Sequence, residues 1–473
     1  MTKTLWLLTP IALASTMCPA FAQEDADAQA EIEQRIVLPV AFAGEEDNAP
    51  TLEARMAKLG VPSATVAVYR GGEPAWTEAY GEGLDTDTLF QAASLSKAVA
   101  AAGIVLLAME RGVSLDEDIS GDLAGLDLAR INPDGVPITL RGLLSHTNGA
   151  AVPGFPGYAA DAEVPSTAQV VMGDGPTNTD MVVLSEDLMG EYRYSGGGYT
   201  IAQLWAEQVS GEDFPALMQR LVLGPVGMRR SLFSADRRDE FPRRNVAAGF
   251  VSAGSPIAGG WNVYPEMAAA SLWTTPGEYA LFAKALIDAH RGEPDAALPA
   301  ALAREMLQPV ANDYGLGIGV STSGGVLTIG HSGSNYGYKS NFVAYPETGD
   351  IIVEMAVSES AWPLLADLTR TAARTYGWPG GEQRSLTRYP SAQAALEAIA
   401  GEYRMPDGSG PLVTITVDGA DLAGSLPDGQ TFRLVQIAPT VFIDPEDAQE
   451  IVIGVDADGL ISLTAGQNVF VRQ

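Results

Sequence analysis

An apolar segment over residues 98–109 constrains the fold of this chain more than any other feature. It is too short to span a bilayer and is followed by the charged pair Glu110-Arg111, so it predicts a helix buried in a protein core. Ser94 and Lys97 stand at its start, three positions apart, and share one face if the helix includes them. The lysine can then reach the serine hydroxyl.

This pair of residues suggests nucleophilic chemistry. A serine hydroxyl is a poor nucleophile until a neighbour takes its proton, and a lysine can do so only when burial or nearby positive charge lowers its pKa. The apolar segment supplies such burial. Ser-x-x-Lys recurs by chance in most chains of this length, so its weight depends on what accompanies it. Lysine is scarce here, which argues against an incidental surface charge: the chain has Lys3, Lys58, Lys97, Lys284 and Lys339.

Length and charge bound the class of protein. With 473 residues the chain has room for two domains, and 46% hydrophobic residues with 51 glycines and 30 prolines are typical of a loop-rich globular enzyme. The formal net charge of −31 opposes duplex nucleic acid and anionic membranes by like-charge repulsion. We therefore expect no nucleic-acid partner, and we interpret the acidity as an aid to solubility.

Residues 1–22 have the pattern of a secretory signal peptide. Lys3 precedes a short apolar run, and Ala20-Phe21-Ala22 is a small-x-small cleavage signature. A retained membrane anchor is the rival, but Pro10 and Pro19 interrupt the run, and the bulky residue before Cys18 argues against lipid modification there. We expect a periplasmic or secreted protein that has no membrane attachment after cleavage. Cleavage would also remove the only cysteine, and with it any disulfide or thiolate.

The next segments predict an arm followed by an α+β domain. Residues 23–50 are largely polar or acidic and are expected to form a mobile N-terminal arm. Over residues 51–378, a helix, a two-stranded hairpin and the apolar helix precede a helical middle and a second group of strands. This order favours an antiparallel sheet flanked by helices. Residues 150–180 show little periodicity and are expected to cover the site as a long loop.

A second domain is expected over residues 390–473. The boundary falls near the turn Gly377-Trp378-Pro379-Gly380, and short strands then follow in quick succession with turns between them. That spacing is typical of a small antiparallel barrel. It contains no obvious nucleophile, so the chemistry is expected in the first domain.

Three further motifs accompany the Ser-Lys pair in a fixed order. They are Ser145-His146 within Leu-Leu-Ser-His-Thr-Asn-Gly, then Tyr194-Ser195-Gly196, then His331-Ser332-Gly333. In order and spacing the chain resembles the serine hydrolase superfamily that contains class C β-lactamases, penicillin-binding D-alanyl-D-alanine carboxypeptidases, D-aminopeptidases and a group of serine esterases. The resemblance covers about residues 50–375. It implies a β-lactamase/transpeptidase-like fold with an all-helical subdomain, and we expect the C-terminal barrel to be lipocalin-like.

The resemblance implies a role for each matching residue. Ser94 corresponds to the acylated serine, Lys97 to its lysine partner, and Tyr194 to the tyrosine that shares the base role and protonates the leaving group. Neighbouring amines can hold such a phenol partly as phenolate by lowering its pKa. The oxyanion donors would be the backbone N–H groups of Ser94 and Ser334. The residues expected to contact substrate or the oxyanion are His331, Gly333 and Ser334.

Two positions depart from the β-lactamase pattern. His331 stands where those enzymes have a lysine that helps to bind the substrate carboxylate, and in this respect the chain resembles the esterase and D-aminopeptidase branches. Gly196 stands where many members have an asparagine that orients an acylamido substrate. These departures argue against efficient β-lactam turnover, while weak acylation by such drugs stays open.

Each candidate residue also has a plainer interpretation. Tyr194 can be a core aromatic residue, His331 can be a strand histidine satisfied by hydrogen bonds, and His146 is expected to hold its turn rather than to do chemistry. The glycine-rich run at residues 315–319 is interpreted as a strand, because a dinucleotide site would need a following helix and an acidic residue. No His or carboxylate cluster has metal-ligand spacing, so we predict neither a metal nor another cofactor.

These observations predict a serine hydrolase that forms an acyl-enzyme at Ser94 and acts on a small ester, amide or peptide, most simply as a carboxylesterase. The runner-up is a D-aminopeptidase or D-alanyl-D-alanine carboxypeptidase. A rival from another class is a catalytically silent protein that binds penicillin or wall fragments. The barrel is open to a role as an oligomerisation or lid module, and the oligomeric state cannot be read from the sequence.

Overall fold

The computed structural model describes residues 19–45, 49–236, 245–252, 254–427 and 430–473. The expected signal peptide lies outside these ranges except for residues 19–22. The helices are α1 (Pro19–Gln34), α2 (Leu52–Leu59), α3 (Ser96–Arg111), α4 (Leu128–Ile131), α5 (Leu140–Leu144), α6 (Thr167–Met172), α7 (Gly196–Ser210), α8 (Phe214–Met218), α9 (Gly224–Val226), α10 (Met267–Ala270), α11 (Pro276–Arg291), α12 (Ala300–Met306), α13 (Trp362–Tyr376) and α14 (Gln393–Ile399).

The strands before the second domain are β1 (Val40–Phe42), β2 (Ser63–Arg70), β3 (Glu73–Tyr80), β4 (Phe90–Gln91), β5 (Asn148–Ala150), β6 (Leu184–Met189), β7 (Leu232–Phe233), β8 (Phe250–Ser252), β9 (Ser255–Pro256), β10 (Leu272–Thr274), β11 (Gly319–Ser323), β12 (Val326–Asn335), β13 (Tyr338–Tyr345), β14 (Asp350–Val357) and β15 (Arg384–Leu386). Those of the second domain are β16 (Gly401–Arg404), β17 (Val413–Asp418), β18 (Asp421–Ser425), β19 (Thr431–Ala438), β20 (Val441–Ile443), β21 (Glu450–Val455), β22 (Ile461–Ala465) and β23 (Asn468–Arg472).

A six-stranded antiparallel sheet lies at the centre of the first domain, in the order β11-β12-β13-β14-β2-β3. Strands β2 and β3 form the predicted hairpin, and its turn uses Gly71 and Gly72 at φ 59° and 84°, where glycine avoids strain. Successive residues of β14 enter two different cores, as a strand covered on both faces requires: Val353 packs among α3, α7 and α11, and Ile352 among α1, α2 and α13. The predicted α+β class is confirmed.

Helix α3 is the centre of the larger core. Its apolar stretch is almost completely buried, and Val99, Ile104 and Leu107 are all 0% exposed. Together with the turn before it, the segment Ala93–Arg111 is long and apolar enough to cross a membrane by length and composition, but its burial identifies it as the predicted core helix.

The N-terminal segment differs from the expected mobile arm. Residues 19–34 form helix α1, and Ile32 and Ile36 are buried against α13 and the sheet. Strand β1 then pairs in parallel with β15, beyond the end of the first domain. These two isoleucines are isolated apolar residues in a largely polar segment, and they make the packing contacts. The expectation of a loose arm was wrong because it weighed average polarity and overlooked their helical spacing.

The second domain is a closed barrel of eight antiparallel strands, β16 to β23, as predicted. Tyr403, Leu422 and Phe442 fill its interior, and α14 packs against it. The barrel contacts the first domain on the side of α2 and α13. There Arg55 of α2 donates to Asp367 of α13 and to Glu446 of the barrel, each at 2.8 Å. The barrel therefore lies on the same side of the sheet as α2 and α13, opposite the side that α3 occupies.

Two local predictions were wrong. Residues 150–180 are not entirely loop, because Ser166 caps helix α6 with a capping box closed by Gln169. The glycine-rich run at 315–319 is a bend, and strand β11 begins only at Gly319. Gly317 adopts φ 78° and a Cβ there would lie 2.7 Å from the Lys97 carbonyl oxygen, so this bend packs tightly on α3.

Candidate active site

Ser94 lies in a single 3-10 turn just before α3. The turn is strained, because Ala93 adopts φ 50°, a left-handed conformation that residues other than glycine rarely occupy. Hydrogen bonds hold its entrance: the Ala92 N–H donates to the Leu272 carbonyl at 2.8 Å, and the Ala92 carbonyl accepts from Ser340 Oγ at 2.7 Å. The partly exposed Ser94 is thus presented on a rigid turn.

Lys97 reaches Ser94 as the spacing predicts. Its Nζ donates to Ser94 Oγ at 3.0 Å and to the Ala269 carbonyl of α10 at 2.9 Å. The side chain is 2% exposed, and burial lowers its pKa to about 7. Both of these hydrogen-bond partners are uncharged, so near neutral pH much of the lysine is an amine with a free lone pair.

Tyr194 completes this cluster at the start of α7. Its hydroxyl interacts with the Ser94 side chain, and burial raises its pKa to about 12. The expectation of a partial phenolate was wrong. The Nζ of Lys97 lies over the face of the tyrosine ring, 5.0 Å from the centroid. Near neutral pH Tyr194 therefore keeps its proton, whereas much of Lys97 has lost one.

Strand β12 passes directly beside Ser94. A Cβ at Gly333 would lie 2.9 Å from the Ser94 backbone nitrogen and 2.5 Å from the Ala92 carbonyl oxygen, so only glycine fits. Ser334, the next residue, is exposed at the cleft. The structure thus brings Gly333 and Ser334 to the Ser94 turn, where the expected oxyanion donors would have to be.

His331 is hydrogen-bonded within the protein through both ring nitrogens. Nδ1 is 2.6 Å from the Ser332 carbonyl oxygen and Nε2 is 2.8 Å from the Tyr314 hydroxyl. A carbonyl oxygen only accepts, so Nδ1 carries the proton and Nε2 accepts from Tyr314. Burial and the nearby Lys97 lower the pKa of His331 to about 4. His331 is therefore neutral and does not replace the charge of a lysine.

Comparison with known proteins assigns this site to a family. The sequence matches the Beta-lactamase family over residues 49–393. The chain belongs to the Beta-lactamase family. Members of this family are serine hydrolases, and the Ser94, Lys97 and Tyr194 cluster lies within the matched residues.

The individual members of the Beta-lactamase family that resemble this chain have low sequence identity to it. It is 26% identical over 185 residues to penicillin-binding protein 4* of Bacillus subtilis (strain 168), a match that covers 36% of this chain and 37% of that protein. The octameric penicillin-binding protein homologue from Pyrococcus abyssi has a TM-score of 0.59 at 18% identity, covering 89% of this chain and 99% of the other. The D-amino acid amidase from Ochrobactrum anthropi SV3, complexed with D-phenylalanine, has a TM-score of 0.54 at 20% identity, covering 69% and 96%. These two structures share the fold.

The second departure from the β-lactamase pattern has a clear structural basis. A Cβ at Gly196 would lie 2.8 Å from the ring of Phe155. The aromatic ring therefore fills the space that an asparagine side chain at this position would need. Phe155 comes from the 150–180 segment, which confirms that part of this segment lies against the site.

The same segment lines a cavity of about 500 Å³ next to strand β12. Its lining includes Tyr158, Glu163, Asn262 and Tyr336. Tyr336 follows Ser334 by two residues, so the cavity opens near the end of β12 that passes Ser94.

Sequence reasoning missed two participants. Tyr314, which fixes His331, directly precedes the glycine-rich bend, and an aromatic residue at such a bend was the available signal. The Ala269 carbonyl, which holds Lys97, had no sequence signal because every residue has one. In the ranges that the structure describes, no group of three His, Cys, Asp or Glu side chains could hold a metal ion.

Proposed function

We propose that this chain is an active serine hydrolase that cleaves small esters through an acyl-enzyme at Ser94. The observation that carries the proposal is the 3.0 Å contact between Ser94 Oγ and a buried lysine whose pKa is about 7. A lysine buried beside neutral partners is costly for stability, and it gains a purpose as the base for the adjacent hydroxyl.

The reaction follows from these three side chains. Ser94 Oγ attacks the substrate carbonyl while its proton passes to the neutral Nζ of Lys97. The backbone N–H groups of Ser94 and Ser334 bind the oxyanion. Tyr194 donates its hydroxyl proton to the leaving group and regains one from the ammonium of Lys97. Water then attacks the acyl carbon and loses a proton to the neutral Lys97. The bond from that carbon to Ser94 Oγ breaks, Ser94 regains its proton from the lysine ammonium, and the acid leaves.

Amides are the second candidate class of substrate. An amine leaving group must be protonated to depart, and the high pKa of Tyr194 keeps a proton available for it. The likeness to a D-amino acid amidase agrees with this class. By contrast, the neutral His331 and the ring of Phe155 beside Gly196 disfavour substrates that carry a carboxylate and an acylamido group, as β-lactams do.

Covalent labelling tests the nucleophile. We expect a fluorophosphonate probe to label the protein stoichiometrically, and Ser94→Ala to abolish labelling. Ser332→Ala is a matched control, because Ser332 is an exposed serine on the neighbouring strand. Equal labelling of wild type and Ser94→Ala would refute the proposal.

Turnover separates the hydrolase from a silent binder. The wild type should release p-nitrophenol from p-nitrophenyl butyrate over many turnovers, whereas a binder would release one equivalent at most. A panel of alkyl esters, D-amino-acid anilides and a chromogenic β-lactam then ranks the substrate classes. The location outside the cytoplasm stays a proposal that rests on the leader, and fractionation of expressing cells tests it.

A further inference from the structure

His146 contacts the segment that carries Tyr194 through both its backbone and its ring. The His146 carbonyl accepts from the backbone N–H of Arg193 at 2.8 Å, and its Nδ1 accepts from the backbone N–H of Ser195 at 3.0 Å. These two donors are the residues immediately before and after the tyrosine. His146 therefore fixes the chain on both sides of Tyr194.

The imidazole ring also packs directly against the tyrosine. The centroids of the His146 and Tyr194 rings are 4.3 Å apart at an interplanar angle of 41°. Tyr192, Tyr199 and Tyr314 surround the same imidazole at centroid distances of 5.8, 5.3 and 5.0 Å. The histidine is thus wedged within an aromatic cluster, with one face against the phenol that contacts Ser94.

This arrangement is costly to the fold. His146 adopts φ 63° although it is not glycine, and its Nε2 is buried without a hydrogen-bond partner. Because Nδ1 accepts a hydrogen bond, the neutral ring carries its proton on that unpaired Nε2. Left-handed backbone at a histidine and an orphaned buried N–H both lower stability. Such costs persist where a function requires the geometry.

We propose that His146 is a positioning residue that holds the Tyr194 hydroxyl at Ser94, so that the tyrosine proton reaches the leaving group. The inference rests on the proposed hydrolase function. Because His146 acts through Tyr194, its loss should slow only the step in which the leaving group takes a proton. Attack by Ser94, which depends on Lys97, should be much less affected.

The leaving group of the substrate separates these steps. A p-nitrophenolate leaves without a proton, whereas an alkoxide needs one. We would compare p-nitrophenyl and ethyl esters of the same acid in His146→Asn. Asparagine tolerates the left-handed backbone, and its side-chain oxygen can still accept from Ser195, but it has no ring to pack on Tyr194. We expect kcat/KM to fall about 30-fold for the ethyl ester and about 3-fold or less for the p-nitrophenyl ester.

Two comparisons make the test specific. His290→Asn is the matched control, since His290 lies exposed in the last turn of α11, and it should leave both rates unchanged. In the double variant with Tyr194→Phe, the asparagine should add almost no further loss on the ethyl ester, because the residue through which it acts is gone.

Other results would overturn the inference. An equal loss on both esters, or additive losses in the double variant, would show that His146 does not act through Tyr194. His146→Gln serves as a second variant, and failure of both variants to fold would assign the residue to stability alone. An inactive wild type that resists labelling at Ser94 would instead defeat the proposed function, so the two failures are distinguishable.

Discussion

The two faces of the central sheet differ in how their buried cations are paired. On the face that carries α13, Arg55 is 1% exposed and donates to Asp367, which also pairs with Arg370 at 2.7 Å. Glu354 is fully buried there, and it accepts from Asn341 and Thr369. Arg55 and Asp367 therefore form a buried ion pair, whereas Glu354 has only neutral partners, and burial raises its pKa to about 8.

On the face that carries α3, the buried lysine is hydrogen-bonded to neutral groups instead of carboxylates. Lys97 is as buried as Arg55, but its two partners are neutral oxygens. His146 has an unpaired ring nitrogen, and both His146 and Ala93 have left-handed backbone. All three residues lie within or beside the cluster around Ser94. A buried lysine with neutral partners and two residues with strained backbone therefore lie together at the place where chemistry is proposed.

The largest expected difference between the two faces comes from replacing the buried cation of each with methionine. Lys97→Met should lower kcat/KM for esters by about 10³-fold or more, because the base is lost. Arg55→Met should leave kcat/KM within about 2-fold of wild type and lower the free energy of unfolding by about 3 kcal/mol, since it removes one of the two arginines that pair with the buried Asp367. Ester hydrolysis and urea unfolding measure the two effects.

The free energy of unfolding of Lys97→Met should depend on pH differently from that of the wild type. The folded pKa of Lys97 is about 7 and lies below its ordinary value, so between these two values the unfolded chain binds more protons than the folded one. The cost of burying the lysine is therefore greatest below pH 7 and fades as the pH rises toward the ordinary lysine value. Lys97→Met should equal or exceed wild type in stability at pH 6 and lose that advantage by pH 10. A large destabilisation at pH 6 would contradict the comparison.

Tyr194→Phe should have the next largest effect. It removes the proton donor and leaves the ring in place, so we expect a loss of about 10²-fold in kcat/KM for alkyl esters. The loss should shrink for substrates with better leaving groups, and a series of esters of one acid measures that slope. Tyr192→Phe is the matched control on the same segment. A uniform loss across the series would assign Tyr194 to binding or packing rather than to proton donation.

The sequence predicted the Ser94–Lys97 contact and the burial of Lys97, but it did not predict the protonation state of Tyr194. The i, i+3 spacing of Ser94 and Lys97 and the apolar run after them predict both their contact and the burial of the lysine. The motif identified Tyr194, but the prediction that it is partly a phenolate was wrong. That state depends on how deeply the ring is buried and on the side from which Lys97 approaches it, and both are set by residues distant in the chain. No sequence pattern predicts the left-handed backbone of Ala93, because alanine is common at the start of a helix.

The fold shows the same division. The hairpin turn at Gly71 and Gly72, the core helix and the barrel were predicted because each follows from local pattern. The pairing of β1 with β15 was not, since it joins residues more than three hundred positions apart. Ile32 and Ile36 acquire their significance only from the α13 surface that they cover.

The pH dependence of activity should be set by Lys97 on one face of the sheet and should not depend on Arg55 on the other. Lys97 must be neutral to accept the Ser94 proton, so kcat/KM for p-nitrophenyl acetate should rise about 10-fold per pH unit below pH 7 and level off above it. The pKa of Tyr194, about 12, predicts no fall before pH 9. Arg55→Met should leave this profile unchanged. Activity that decreases between pH 6 and pH 8 would exclude a lysine base.

The smallest expected effect concerns the cavity beside β12. Tyr336 is 42% exposed at its edge, and its backbone N–H is fixed by the hydroxyl of the buried Tyr264 at 3.0 Å. Tyr336→Ala should therefore leave the backbone in place and remove only one wall of the cavity. We expect KM to rise about 3–10-fold for bulky aromatic acyl esters, with little change for acetate and in kcat. Tyr389→Ala, an equally exposed tyrosine after β15, is the control. Equal changes in KM for acetate and aromatic esters would mean that the cavity does not receive the acyl group, because only an occupant large enough to touch that wall can sense its removal.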